Sequence, residues 1–142
     1  MSESKTFEQI LEEDEVLVYT CKGFSMYPLL RQNKDILIIR KPAGKLKKHD
    51  IVLFKDKGKY VLHRILKISG DRIITAGDHN TFKDQPVDRS QIIGILTTIV
   101  RDGKEIRTDD LHMRAFGFLI GDLFDLKAVY LKSRSRLRRF LK

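Results

Sequence analysis

The chain has 142 residues, 42% of them hydrophobic and 33% charged, which fits one globular domain with its own core and excludes a disordered chain. Its single cysteine, Cys21, excludes an internal disulfide framework and a cysteine-rich metal cluster, and is expected to be a small buried residue in a strand. Of the net charge of +9, most belongs to residues 127–142, where Lys127, Lys132, Arg134, Arg136, Arg138, Arg139 and Lys142 occur with no acid, so the body is nearly neutral.

Met1–Glu15 is acidic and has no apolar stretch of the kind a secretory leader carries, so a cytoplasmic chain is expected. Thr6 and Gln9 have the spacing of a capping box for a short helix with Phe7, Ile10 and Leu11 on its apolar face. Val16–Thr20 reads as a strand, followed by a bend from Gly23 to Pro28. Asp35–Ile39, continuous in apolar residues after Asp35, is expected to be a strand buried on both faces. Ile51–Phe54 is a third strand, and Asp56-Lys57-Gly58 turns it into Tyr60–Ile68. A further turn at Ser69-Gly70-Asp71 leads to Ile73–Thr75, and a polar loop then runs from Gly77 to Arg89. Ile92–Val100 and a return strand around Ile106 complete a mainly β fold of antiparallel hairpins.

The period changes after Leu111. Apolar residues recur at Phe116, Leu119, Ile120, Leu123, Phe124 and Leu126 with helical spacing, and Thr108-Asp109-Asp110 offers a helix cap. Gly117 and Gly121 lie on one helical face and allow another element to approach closely. The expected division is a β-rich body over 1–110 with a C-terminal helix and basic tail over 111–142. No run approaches the ~20 apolar residues of a membrane-spanning helix, the longest being Ala115–Gly121.

Three residues carry chemistry. Ser25 sits near the tip of the Gly23–Pro28 bend, where a hydroxyl points outward and neighbouring N–H groups stay unpaired. His63 lies within an apolar strand on the side of Val61 and Ile65, so its two ring nitrogens need specific partners. Asp78 and Asp84 fall in the loop Gly77-Asp78-His79-Asn80-Thr81-Phe82-Lys83-Asp84, where either could close the loop or orient the histidine. Serine, histidine and aspartate are the inventory of nucleophile, base and orienting carboxylate. The other histidines, His49, His79 and His112, are scattered without a ligand-spaced partner, so neither a metal site nor a cofactor is expected.

Gly23-Phe24-Ser25-Met26-Tyr27-Pro28-Leu29, His63-Arg64, and Gly77-Asp78-His79-Asn80 with Asp84 together resemble the type I signal peptidases. They are more distantly similar to the self-cleaving domain of LexA-type repressors. The likeness runs from about Val16 to Thr98, and histidine at position 63 resembles the endoplasmic-reticulum and archaeal subgroup. The resemblance implies Ser25 as nucleophile with its own backbone N–H in the oxyanion hole. It implies His63 as base, Asp84 as the orienting carboxylate and Asp78 as a supporting residue. Gly23, Met26 and His79 would flank the substrate cleft, whose pockets in the family favour small residues. The family's glycine before the aspartate of the second and third strands is replaced here by Lys34 and His49, which predicts altered turns.

The resulting expectation is a serine endopeptidase that removes a leader from a specific protein or peptide. The alternatives are an inactive peptidase fold that binds a segment without cutting it, and a LexA-type regulator, ranked last because no DNA-binding helix pair precedes the domain. The family's membrane anchor is not seen at the N-terminus, and residues 126–142 interleave apolar and basic side chains as an amphipathic interfacial helix would. Peripheral contact with an anionic membrane is therefore expected, and nucleic acid is not, for want of a stacking pattern or binding motif.

Overall fold

The elements follow in the order α1 (Phe7–Asp14), β1 (Val16–Thr20), β2 (Ile36–Arg40), β3 (Ile51–Asp56), β4 (Lys59–Ser69), β5 (Arg72–Ala76), β6 (Val87–Asp88), β7 (Ile92–Arg101), β8 (Lys104–Arg107), α2 (Leu111–Asp122) and α3 (Phe124–Phe140). They are taken from a computed structural model that describes residues 4–141. All eight strands belong to one antiparallel sheet in the order β1-β2-β7-β3-β4-β5-β6, with β8 paired to the far end of β7. Hairpins join β3 to β4, β4 to β5 and β7 to β8, but β2 and β3 are not neighbours. The ten-residue β7 lies between them and pairs with both. Register shifts at Ile38/Ile39, Leu53/Phe54 and Ile65/Lys67 mark bulges, which increase the local twist and bend the sheet.

Local chemistry explains the start of the chain. Thr6 Oγ1 accepts from Gln9 N–H at 3.2 Å while Gln9 Oε1 accepts from Thr6 N–H at 2.9 Å, closing the capping box of α1. The helix stops at Glu15, whose φ of 62° turns the chain into β1. Leu11 then packs with Leu17, Leu37, Ile39, Leu53, Leu96 and Ile99 in one core cluster. A second cluster, built on Val52, Phe54, Ile65 and Ile73, fills the other side of β3.

Several sequence expectations change in detail. Double-sided burial belongs to β3, where Ile51–Phe54 are all buried, and not to β2, where Ile36 and Arg40 are exposed. The reason is position: β3 lies between the two clusters, whereas β2 has only one core beside it. Cys21 is buried but lies just past β1, its N–H donating to Asp35 O at 2.9 Å. The loop after β5 contains β6 and a 3₁₀ turn at Arg89–Gln91, which Asp88 caps through Ser90 N–H. The C-terminal helical run is interrupted at Leu123 (φ −99°, ψ 15°) and forms two helices. Asp110 occupies the α2 N-cap without a side-chain cap bond, and Thr108 Oγ1 is drawn instead to the carbonyls of Leu96 and Thr97. His49 has φ 79°, so the turn before Asp50 keeps a left-handed geometry that glycine adopts more easily. A 2.9 Å bond between His49 Nε2 and Asp122 Oδ1 helps to hold it there.

The segment from Cys21 to Asp35 is fixed by one charge cluster. Arg101 donates through Nε and Nη2 to the Asp35 carboxylate at 2.9 and 2.6 Å, and Nη2 also donates to Leu29 O at 2.6 Å. Arg31 N–H donates to the same carboxylate at 2.8 Å. Burial alone would push Asp35 upward, but the Arg101 guanidinium and the Arg31 amide outweigh it and hold the carboxyl below its ordinary value. A folded-state value below the unfolded one contributes stability that is complete above the unfolded value and is lost as pH falls through the folded one. Denaturant midpoints should therefore fall as pH drops below about 4, and Asp35→Asn should flatten that acid limb. Arg101→Ala should lose about 3–5 kcal/mol at neutral pH by leaving a buried carboxylate without its partner, measured by chemical denaturation.

Candidate active site

The bend after β1 carries Ser25 in a half-buried position, followed by buried Met26 and exposed Tyr27 and Pro28. Two surfaces hold this bend. Leu29 O is tied to Arg101 as described, and Ser25 O accepts from His79 N–H at 2.9 Å. Among the described residues the Ser25 N–H has no acceptor. Such a free N–H beside a hydroxyl is what an oxyanion needs for stabilisation.

His63 projects from β4, opposite Val52 of β3, and is 7% exposed. Its ring meets Phe54 edge-on with centroids 6.3 Å apart. Nδ1 lies 2.5 Å from Asp84 Oδ2. Since a carboxylate accepts and does not donate, Nδ1 carries the hydrogen and Nε2 of the neutral ring is the free acceptor. Every fully buried side-chain nitrogen and oxygen among the described residues has a partner. Nε2, which has none, is thus open to the pocket that His63 lines.

Asp84 reaches this position because β5 holds it. Thr75, fully buried, donates its hydroxyl to Asp84 Oδ2 at 2.7 Å, and Asp84 N–H donates to Thr75 O at 2.8 Å. Asp78 does a different job. Both its oxygens accept from Arg64, from Nε at 2.7 Å and from Nη2 at 2.8 Å, in a pair almost wholly removed from water. Its amide N–H points at Met26 Sδ, 3.4 Å away, and its carbonyl accepts from Lys127 Nζ of α3 at 2.5 Å. Burial pushes the Lys127 ammonium down, against the pull of Asp78. The sequence left open which aspartate orients His63; Asp84 is the one in contact with it.

Ser25 and His63 line one cavity of about 220 Å³ with Gly23, Met26 and Cys21. Its deeper walls are apolar, from Leu30, Leu37, Ile39, Leu53 and Leu62. Aromatic rings line it as well: Phe7 of α1 stacks on Tyr60 at 4.2 Å and meets Tyr19 edge-on at 5.1 Å. His79 is not a lining residue of this cavity; it is exposed and packs edge-on against Tyr27 at 5.7 Å. Among the described residues no group of three or more His, Cys, Asp or Glu side chains could hold a metal ion.

Sequence reasoning missed the supporting residues. Thr75 reads as an ordinary strand residue, Arg64 stands only as the companion of His63 in the motif, and Lys127 counts with the basic tail, because only the fold brings their partners within reach. Gly77 gave a local signal only as part of a turn, yet its role is contact. A Cβ there would lie 2.5 Å from Ser25 O and 3.0 Å from Ser25 Cβ. Backbone cannot yield as a flexible side-chain tip can. Gly77→Ala should therefore cost about 1–3 kcal/mol in thermal or denaturant unfolding. It should also displace the Ser25 bend, visible as changed amide shifts at Ser25 and Met26.

The sequence pattern of the Peptidase S24-like family matches residues 2–100, a span that contains Ser25, His63, Asp78 and Asp84. No curated protein matches the chain. The matched span covers α1 and β1–β6 entirely and nearly all of β7, leaving β8, α2 and α3 outside it. The chain belongs to the Peptidase S24-like family.

Proposed function

We propose that the chain is a serine endopeptidase that hydrolyses a peptide bond with Ser25, His63 and Asp84, acting on a leader or exposed segment of a specific protein. The observation that carries this reading is that Ser25 and His63 line one cavity while the remote nitrogen of His63 is held by Asp84. Nε2 takes the proton as Ser25 Oγ attacks the carbonyl carbon, and Asp84 steadies the imidazolium that forms. The Ser25 N–H donates to the developing oxyanion. His63 then returns the proton to the leaving amine, and water releases the acyl group by the same route. Histidine at position 63 favours the signal-peptidase type of this chemistry that uses histidine as base.

The cavity also bears on the choice of substrate. Its apolar depth of Leu30, Leu37, Ile39 and Leu53 suits a leucine-sized side chain next to the cut, larger than the small residues that the resemblance implies. Loss of a methylene in such a pocket is worth about 1–3 kcal/mol, or roughly tenfold to two-hundredfold in kcat/KM.

The test is turnover of a peptide library by the native chain and by three variants. Ser25→Ala or His63→Ala should lower kcat by on the order of 10⁴–10⁶, and Asp84→Asn by on the order of 10⁴. Peptides with leucine or methionine before the cleaved bond should be preferred to those with alanine. Peptide capture without turnover, unaffected by Ser25→Ala, would establish the non-cleaving alternative.

A further inference from the structure

The last helix offers a surface that the body of the protein does not use. Only its first turns are packed: Phe124 lies against Leu66 and Ala76, and Ala128 is buried. Lys127 and the Lys83–Asp125 ion pair (3.0 Å) tie the same turns to the loop between β5 and β6. On the other side Leu126, Val129, Tyr130, Leu137 and Phe140 are each 60–89% exposed. Residues 126, 130, 133, 137 and 140 are spaced by alternating fours and threes, so they form one stripe along the helix. Ser133 is the only polar member of that row. Leu119, Ile120 and Leu123 meet Leu126 and Tyr130 in a groove that is almost entirely apolar and widens the stripe at its base.

The charges beside the stripe have one sign. Lys132, Arg134, Arg136, Arg138 and Arg139 are all exposed, and α3 contains no acid after Asp125. An apolar row of this spacing could pair with a second copy, but either orientation would bring cations against cations along both flanks. Contact with nucleic acid through the cations alone would leave the row of leucines and aromatics in water. A surface that is apolar below and anionic above satisfies both features at once. We propose that α3, with the adjoining end of α2, seats on an anionic lipid bilayer, the apolar row at acyl-chain level and the cations among the headgroups. No described helix is long and apolar enough to cross a membrane, so the contact is interfacial. This inference does not depend on the peptidase reading, and Ser25→Ala should bind as the native chain does.

Co-sedimentation of the full chain with vesicles tests it. Vesicles of phosphatidylcholine mixed with phosphatidylglycerol should retain the protein, and pure phosphatidylcholine vesicles should not. Retention should fall when salt is raised to roughly 1 M, where screening shortens to about 3 Å. Replacing both Arg134 and Arg138 by Gln should weaken binding about 25-fold, at roughly fivefold per cation. Replacing both Leu137 and Phe140 by Ser, with every cation kept, should weaken it at least about tenfold. The chain has no tryptophan, so Leu137→Trp gives a single reporter that keeps the apolar row. Its emission should shift to the blue on mixed vesicles. Equal retention by pure phosphatidylcholine would overturn the proposal. So would an unshifted Leu137→Trp emission, a stripe-dependent dimer in place of vesicle binding, or displacement from vesicles by duplex DNA.

Discussion

Two charges that water would otherwise hold meet beneath the loop that follows β5. Arg64 and Asp78 are 3% and 1% exposed at their side chains, and stripping two ions of solvent costs several kcal/mol each. Their fork-to-fork geometry offsets that cost, and Arg64 Nη1 adds a bond to His49 O at 3.1 Å. Neither partner can leave without stranding the other, so the loop is held where it is. Since His63 and Arg64 are successive residues of an extended strand, they point to opposite faces. A single step along β4 thus sends one side chain to the cavity and the next to the clamp that holds Asp78 and the start of the loop.

The site is assembled by mutual contact among three stretches of chain, and no one of them is rigid by itself. The bend at Ser25 rests on Gly77 and on His79 N–H; the loop rests on Arg64, Met26 and Lys127; Asp84 rests on Thr75. Helix α2 completes the arrangement through its two glycines. Gly117 lets Arg64 Nη1 approach to 2.7 Å of where a Cβ would sit, and Gly121 does the same for the His49 ring at 2.6 Å. These contacts restrict the surroundings of Ser25, His63 and Asp84, which is the preorganisation that the proposed hydrolysis calls for.

Much of this was legible in the amino-acid sequence, for physical reasons. Strand positions follow from apolar runs bounded by turn residues, and the Thr6–Gln9 box and the Lys57-Gly58 hairpin are local chemistry. The glycine pair in α2 announced close approach, though not to what. His63 stood out as a histidine within an apolar strand, while Ser25 and the 78–84 loop were singled out by the Gly–Pro bend, by the turn and by their combination with that histidine. Illegible were the features set by long-range pairing. Insertion of β7 between β2 and β3 cannot be read from either strand alone. The division of labour between Asp78 and Asp84 depends on which one lies beneath Arg64 and which returns to Thr75. Asp35 looked like the start of a strand, and only the arrival of Arg101 from β7 makes it a counter-ion.

The place of β7 in the sheet also has a consequence for the order in which the molecule can be born. Residues 16–40 and 51–76 make two separate antiparallel patches, and nothing joins them edge to edge until Ile92–Arg101 emerges from the ribosome. Ser25 rides on the first patch and His63 on the second. Pairings this distant along the chain are the slow ones to form. Without β7 no ladder of strand hydrogen bonds links the patch that carries the hydroxyl to the patch that carries the imidazole, and the loop contacts of Gly77, Asp78 and His79 with the Ser25 bend would have to bridge them unaided.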